Sequence, residues 1–293
     1  MSITIPAIPR RRSALADFVT TQPTGAVAAA VILTMLLAGI FADQVAPYDP
    51  LEINYGAMLA APDADHWLGT DGFGRDILSR IIYGARTALT LGVTASVFGC
   101  SVGALVGITS AYYGGVLDSV VQRIVDTLLS FPLIFLALIT LAVLGRHLVL
   151  GIDINLAFAI ALPIMPSVAR VIRSSALTIR TLPYVDAARA SGFRDSRIIL
   201  RHIAPNVAAP YLIMVTAFIA QAILLEASLS FLGLGVAEPT PAWGLMLSGN
   251  AADFYRDAPW IIAFPGLAIS LAVFAFNFLG DSLRDWLDPK LRN

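Results

Sequence analysis

Two groups of residues in this chain have types and spacing that could do chemistry, and neither is a catalytic pair. The first is a concentration of arginines. Within Arg170–His202 stand Arg170, Arg173, Arg180, Arg189, Arg194, Arg197 and Arg201, against only Asp186 and Asp195, and no other window is this basic. Guanidinium groups at this density suit polar contact with a partner surface. The second is a lone carboxylate, Glu226, directly after the apolar run Val207–Leu225. A carboxylate there is costly, which makes it a candidate for contact with a substrate or a gate. The competing reading is a helix-end carboxylate paired with an arginine or capping backbone N–H groups. Other chemistry is missing from the sequence. There is no G-x-x-x-x-G-K-[ST] loop to hold ATP, and no G-x-S-x-G, H-E-x-x-H or Cys/His cluster. No catalytic residue, no metal site and no bound cofactor is expected.

The arginines need elements to hold them, and the stretch Tyr184–Pro205 supplies a plan. Pro183 precedes Val185–Ser191, a run rich in helix formers. Gly192 suits a left-handed residue at its end. Asp195 or Ser196 caps a second short helix, Arg197–Ile203, and Pro205 stops it. Two short helices joined at a glycine make a compact knob, on which Ala187, Ala188 and Ala190 let a partner approach closely. A cytoplasmic loop following the positive-inside bias accounts for the arginines. A structured docking element accounts for the spacing as well.

The surroundings are membrane-like. Of 293 residues, 57% are hydrophobic and 13% charged, where a soluble domain carries about 25% charged residues. The formal net charge of −1 hides strong segregation. Cys100, the one cysteine, lies in an apolar run and reads as a small buried residue. Six spans are expected. Gly25–Ala42, eighteen uncharged residues, reads as an uncleaved first span. A signal peptide is the competing reading, and Asp43-Gln44-Val45 makes a poor cleavage site. Residues 43–86 form an acidic outer connection. Thr87–Leu117 is the second span, with Ala95, Gly99, Gly103, Gly107 and Ala111 on one helix face for close packing, and Gly114-Gly115 turning the chain. Asp118, Arg123 and Asp126 mark a short inner connection. Thr127–Gly145 is the third span, with Pro132 in its first turn. The fourth begins at Leu156, is bent by Pro163 and Pro166, and continues past Arg170 and Arg173. Val207–Leu225 is the fifth, and Trp260–Gly280 the sixth, where Asn277 is placed to bond a neighbouring helix.

Basic residues test the orientation. With the N-terminus inside, Arg10, Arg11, Arg12, Arg123, the seven arginines listed above, Arg284, Lys290 and Arg292 lie inside. Arg75, Arg80, Arg86, Arg146 and Arg256 lie outside. That is fourteen of nineteen inside, as the positive-inside bias requires.

The motifs then point to one family. Asp186-Ala187-Ala188 followed by Gly192, then twelve residues to Pro205, resembles the EAA loop of integral-membrane subunits of binding-protein-dependent ABC importers. Asp186 replaces the usual Glu, and Ala204 the usual Leu. Leu68-Gly69-Thr70-Asp71 with Gly74-Arg75-Asp76 resembles the LGTD-x-x-GRD pattern of the dipeptide, oligopeptide and nickel branch, with Trp67 alongside as an interfacial anchor. Tyr112-Tyr113-Gly114-Gly115, Asp126–Pro132, Glu226–Gly235 and Gly280–Pro289 are similar to further stretches of the same family.

The resemblance implies an all-α, polytopic permease with six transmembrane helices and the type I ABC importer fold. It implies the C-type permease of a pair, in the cytoplasmic (inner) membrane, with both termini cytoplasmic. The implied organisation is an N-terminal region 1–85, a transmembrane domain 86–281 carrying the coupling loop 184–205, and a cytoplasmic tail 282–293. Implied partners are a second homologous permease, two cytoplasmic ATPase subunits, an extracytoplasmic solute-binding protein and membrane lipid, with no nucleic acid. Asp186, Ala187, Ala188, Arg189, Gly192, Arg194 and Arg201 are the implied ATPase-coupling residues, and Glu226 is the substrate-path candidate. The chain itself is then no enzyme: it moves peptides by alternating access while separate subunits hydrolyse ATP. Nickel or another small solute is the alternative cargo. An ion-coupled secondary transporter is the alternative machine, and it would need more intramembrane carboxylates than Glu226.

Overall fold

Where this chain turns is decided by a few prolines, glycines and capping carboxylates set between long apolar runs. The computed structural model describes residues 14–149, 151–249 and 251–287. A short helix α1 (Ala14–Thr21) precedes α2 (Pro23–Ile40), which opens on a proline where the lost N–H costs nothing. A single turn, α3 (Ala42–Val45), leads into an irregular segment and then α4 (Ile77–Tyr113). Asp76 caps α4 by accepting the Ser79 backbone N–H at 2.8 Å, and Gly114, at φ 65°, ends it. Next come α5 (Gly115–Leu129), α6 (Leu133–Leu144), a small hairpin of β1 (Leu148–Val149) and β2 (Ile152–Asp153), α7 (Ile154–Ala161) and α8 (Ile164–Arg180). Then α9 (Pro183–Ala190) is followed by α10 (Asp195–Ile198), which runs on into α11 (Ala208–Phe231). Single turns α12 (Trp243–Met246) and α13 (Ala251–Phe254) precede α14 (Trp260–Leu287).

Among the described residues, four helical stretches are each long and apolar enough to cross a membrane: α2, α4, Asp195–Phe231 and α14. Counting the bent pairs α5–α6 (96°) and α7–α8 (45°) as one span each gives six, the expected number. The 37 residues of α4 extend roughly 55 Å at the helical rise, against a hydrocarbon layer of about 30 Å. Its two ends therefore stand clear of the lipid, and they serve below as landmarks: the Ile77 end and the Tyr113 end.

The small-residue face of α4 is a packing surface, as its spacing predicts. A Cβ on Gly99 would meet the Ala161 carbonyl at 2.9 Å, and one on Gly103 would collide with the Met165 carbonyl and the Val168 side chain. Gly107 lies as close to the Ala169 carbonyl. Backbone-to-backbone approach of this kind is what holds helices together where lipid offers no hydrophobic drive. Toward the Ile77 end, the buried Trp243 indole lies on Gly84 and donates to the Ile81 carbonyl at 3.0 Å. Cys100 is buried, as expected. On the outside of the bundle Val27, Leu105, Val143, Leu267 and Phe274 expose well over half their surface, an arrangement suited to lipid rather than water.

Several boundaries differ from the sequence reading. The expected inner connection around Asp118, Arg123 and Asp126 is the amphipathic helix α5, and the third span is broken before Pro132, which caps α6 rather than sitting within its first turn. Helix α4 begins at Ile77, upstream of Thr87, because its early arginines are compensated: Arg86 donates to the Gly39 carbonyl at 2.8 Å and to Asp43 at 3.0 Å. Pro205 does not stop a helix. A π turn over Ile199–Ile203 and a 3-10 turn over Ala204–Val207 absorb the lost N–H and carry the chain into α11. Asn277 is exposed and makes no hydrogen bond among the described residues. The fourth span does bend at Leu162-Pro163 and does continue to Arg180.

Candidate functional site

The Arg-rich element sits at the Tyr113 end and has two faces. One face is bolted to the bundle. Val185, Ala188, Ile198 and Ile203 are buried in the core shared by α4, α8 and α11. Tyr112, at the last turn of α4, donates its hydroxyl to Asp195 at 2.6 Å, and Arg189 lies 5.2 Å over the same ring. Below it, Arg180 donates to the Ala111 carbonyl at 2.8 Å. Arg173 grips Asp118 with two hydrogen bonds, at 2.6 and 2.5 Å, and Arg170 pairs with Asp126. The first three arginines of the cluster therefore tie α8 to α4 and α5.

The other face is free. Asp186, Ala187, Arg189, Gly192, Arg194 and Arg201 are exposed. Asp186 and Arg189 approach only to 3.5 Å, and Arg194 and Arg201 make no ion pair among the described residues. Gly192 has φ +74°, the left-handed turn expected of it, and a Cβ there would meet nothing within 4 Å. Of the seven sequence-predicted coupling residues, Ala188 alone turns inward, at 5% exposure. A stack backs the turn: Arg197 lies 4.3 Å over Phe193, whose ring is parallel to His202. Sequence reasoning missed Tyr112, Asp118 and Asp126 as anchors. The available signal was the rarity of charge beside apolar spans, which calls for partners.

Glu226 lies apart from this element. It is buried inside α11 at 1% exposure, several residues before the helix end. Its Oε1 accepts the Ser230 hydroxyl at 2.6 Å, and Ser230 Oγ in turn accepts the Val236 N–H at 3.1 Å. Its Oε2 has no partner, and no arginine pairs with it among the described residues. The carboxylate thus ties α11 to the chain reversal beyond it.

At the Ile77 end, the Leu68–Asp76 motif folds onto itself. Asp71 accepts the N–H groups of Phe73 (2.8 Å) and Arg75 (3.0 Å) and the Arg75 Nε (2.7 Å). Asp76 holds Ser79 and, through its other oxygen, His66 at 3.0 Å. Thr70 bridges Ala57 and Ala60. Gly74, at φ +71°, lies against the Asn54 carbonyl where no side chain fits. Trp67 stands 69% exposed. Just outside the first span, hydrogen bonds from Tyr83 and Arg86 hold the Asp43 carboxyl below its ordinary range. The chain leading into α4 and the chain between α11 and α14 meet here: Arg75 reaches Glu238 at 3.5 Å, Thr87 of α4 donates to the Pro241 carbonyl at 2.9 Å, and Trp260, the first residue of α14, to that of Thr70 at 3.2 Å.

The chain as a whole has relatives among known proteins. The chain is 41% identical over 263 residues to "Dipeptide transport system permease protein DppC" of Alkalihalophilus pseudofirmus, covering 90% of this chain and 84% of that protein. It is 41% identical over 262 residues to "Putative peptide transport system permease protein BRA1093/BS1330_II1085" of Brucella suis, covering 89% and 86%. It is 40% identical over 266 residues to "Glutathione transport system permease protein GsiD" of Escherichia coli, covering 90% and 86%. Among solved structures, a chain of the MetNI methionine ABC transporter in inward-facing conformations matches with a TM-score of 0.56 at 18% identity, covering 72% of this chain and 98% of that one. That likeness concerns the fold, the type I ABC importer permease fold. The family described as "Binding-protein-dependent transport system inner membrane component" matches residues 103–293. With that match and relatives of this similarity, the chain belongs to this family of multi-pass inner-membrane permease subunits, which are not enzymes and rely on separate subunits for ATP hydrolysis.

Proposed function

We propose that this chain is the C-type permease subunit of an ATP-driven importer of short peptides. The cargo reading is supported by the relatives, whose names specify dipeptide, peptide and glutathione transport. The proposed unit is the transmembrane domain 86–281, flanked by 1–85 and the tail 282–293. Both termini and the coupling loop 184–205 lie in the cytoplasm, an orientation supported by the distribution of arginines. The assembly comprises a second homologous permease, two ATPase subunits and an extracytoplasmic binding protein.

One observation carries the mechanism: the Arg-rich element is free on one face and bolted to α4 on the other. Asp186, Ala187, Arg189, Gly192, Arg194 and Arg201 contact an ATPase subunit. Ala188 contributes from within, by keeping α9 close to the bundle. Movement of the ATPase pair pushes this element, and the Tyr112–Asp195 bond and the continuous run into α11 transmit the push to the spans. Binding protein docks on the segments 43–86 and 236–259. Glu226, sealed against Ser230, acts in this reading as a tie within the structure rather than as a contact for cargo.

Uptake of labelled dipeptide in cells with and without the chain, before and after ATP depletion, tests the proposal. Uptake should require both. Uptake that survives ATP depletion and follows an ion gradient would overturn it, and nickel uptake in place of peptide uptake would move the cargo.

A further inference from the structure

Between the two loop segments at the Ile77 end lies a cavity of about 310 Å³, near the lower limit of the roughly 300–1,000 Å³ typical of small-molecule sites. Phe73, Met246 and Phe254 give it apolar walls, and Asp71, Arg75, Arg80 and Glu238 give it charge. These charges satisfy one another only in part. Asp71 is already filled by three donors. Arg75 spends its Nε on Asp71, and its guanidinium lies 4.7 Å over the Phe73 ring.

Arg80 differs. It is 1% exposed, donates from one terminal nitrogen to the Pro50 carbonyl at 3.1 Å, and has a buried Nε without a hydrogen bond. The Asp71 oxygen nearest that Nε is 3.8 Å away, beyond hydrogen-bond reach. A guanidinium carries five N–H donors and binds carboxylates as a fork. Leaving such donors unmade inside a protein is costly. Glu238 supplies the opposite sign on the same cavity. Its side chain is 54% exposed and, among the described residues, is held only by the 3.5 Å approach of Arg75.

We propose that this cavity binds a short zwitterionic peptide. The terminal carboxylate seats on Arg80, with Arg75 beside it. The terminal ammonium faces Glu238, and the peptide's side chains lie against Phe73, Met246 and Phe254. The proposal rests on the peptide reading above and adds a station on the permease itself, ahead of the crossing.

The test uses the complete permease–ATPase assembly in lipid nanodiscs, without binding protein, so that any binding belongs to the membrane part. The probe is labelled dialanine, with its C-terminal amide and its N-acetyl derivative as competitors. Dialanine should bind saturably, and each blocked derivative should compete about tenfold more weakly, as loss of one charged hydrogen bond requires. Arg80→Gln should abolish the preference for the free carboxylate. Because Arg80 also holds Pro50, Glu238→Gln is measured beside it. That exposed residue should leave the fold intact and erase only the penalty for N-acetylation. No saturable binding, equal competition by all three compounds, or an unchanged N-acetyl penalty in Glu238→Gln would each overturn the cavity as a peptide site. Cellular dipeptide uptake measured in parallel keeps the two readings apart. Uptake that depends on the chain, with no binding in nanodiscs, sinks the cavity alone; absent uptake sinks the cargo reading.

Discussion

The two ends of α4 carry the chain's most recognisable motifs, and the motifs point in opposite directions. At the Tyr113 end six of the seven residues singled out face solvent, and Arg194 and Arg201 leave their charge unpaired among the described residues. At the Ile77 end Thr70, Asp71 and Asp76 are buried and consumed by their own neighbours. Both patterns are short, polar and family-specific in sequence. Only burial separates a motif that a partner reads from one that the chain reads itself. A polar group pointing outward is free to be recognised, whereas one pointing inward must be satisfied at home or it destabilises the fold.

The comparison breaks most violently at Asp71. Asp71→Ala should leave Arg75 without its close partner and remove the carboxylate 3.8 Å from the buried Arg80 Nε. Loss of one member of a buried pair costs about 3–5 kcal/mol, so the variant should be scarce in membranes and melt far below the wild type in detergent. A normal melting temperature would mean that the bonds Asp71 makes to its own neighbours are not what holds the Ile77 end together. The next effect is smaller and tests the bolt. Tyr112→Phe removes the hydroxyl that Asp195 accepts but keeps the ring under Arg189. A hydrogen bond to a charged group contributes about 1.5–3 kcal/mol. Peptide uptake should fall while ATP hydrolysis persists, and a parallel fall of both would argue against a transmitting role.

The alternation of apolar and polar stretches made six spans legible, and the four-residue spacing of Gly99, Gly103 and Gly107 correctly announced a helix contact. The left-handed Gly192 was legible too, because few residues other than glycine end a helix that way. What the sequence hid depended on compensation across the chain. The start of α4 at Ile77 relies on acceptors from Pro50, Gly39 and Asp43, and no local window shows them. The survival of helicity through Pro205 relies on a π turn that local propensity does not encode. The inward turn of Ala188 was hidden for a different reason: three alanines in one short helix look alike until the bundle fixes which one faces it.

That last point yields the finest test. Ala187 and Ala188 are neighbours on α9, one exposed and one buried. Ala188→Leu forces extra volume into a packed core, which costs about 1–3 kcal/mol, and should lower the melting temperature before any partner is added. Ala187→Leu changes an exposed position, where effects on stability stay within about 0.5 kcal/mol. It should melt like the wild type yet pull down less ATPase subunit. Arg194→Ala and Arg201→Ala belong with Ala187→Leu, but their loss of association should shrink as salt is raised, because exposed charge is screened over about 10 Å at 0.1 M salt. If Ala187→Leu and Ala188→Leu instead lower stability equally, α9 has no free face and the docking assignment fails. If both leave stability and ATPase association untouched, the partner reads another part of the chain, and the exposed arginines at the Tyr113 end reflect only the side of the membrane on which they lie.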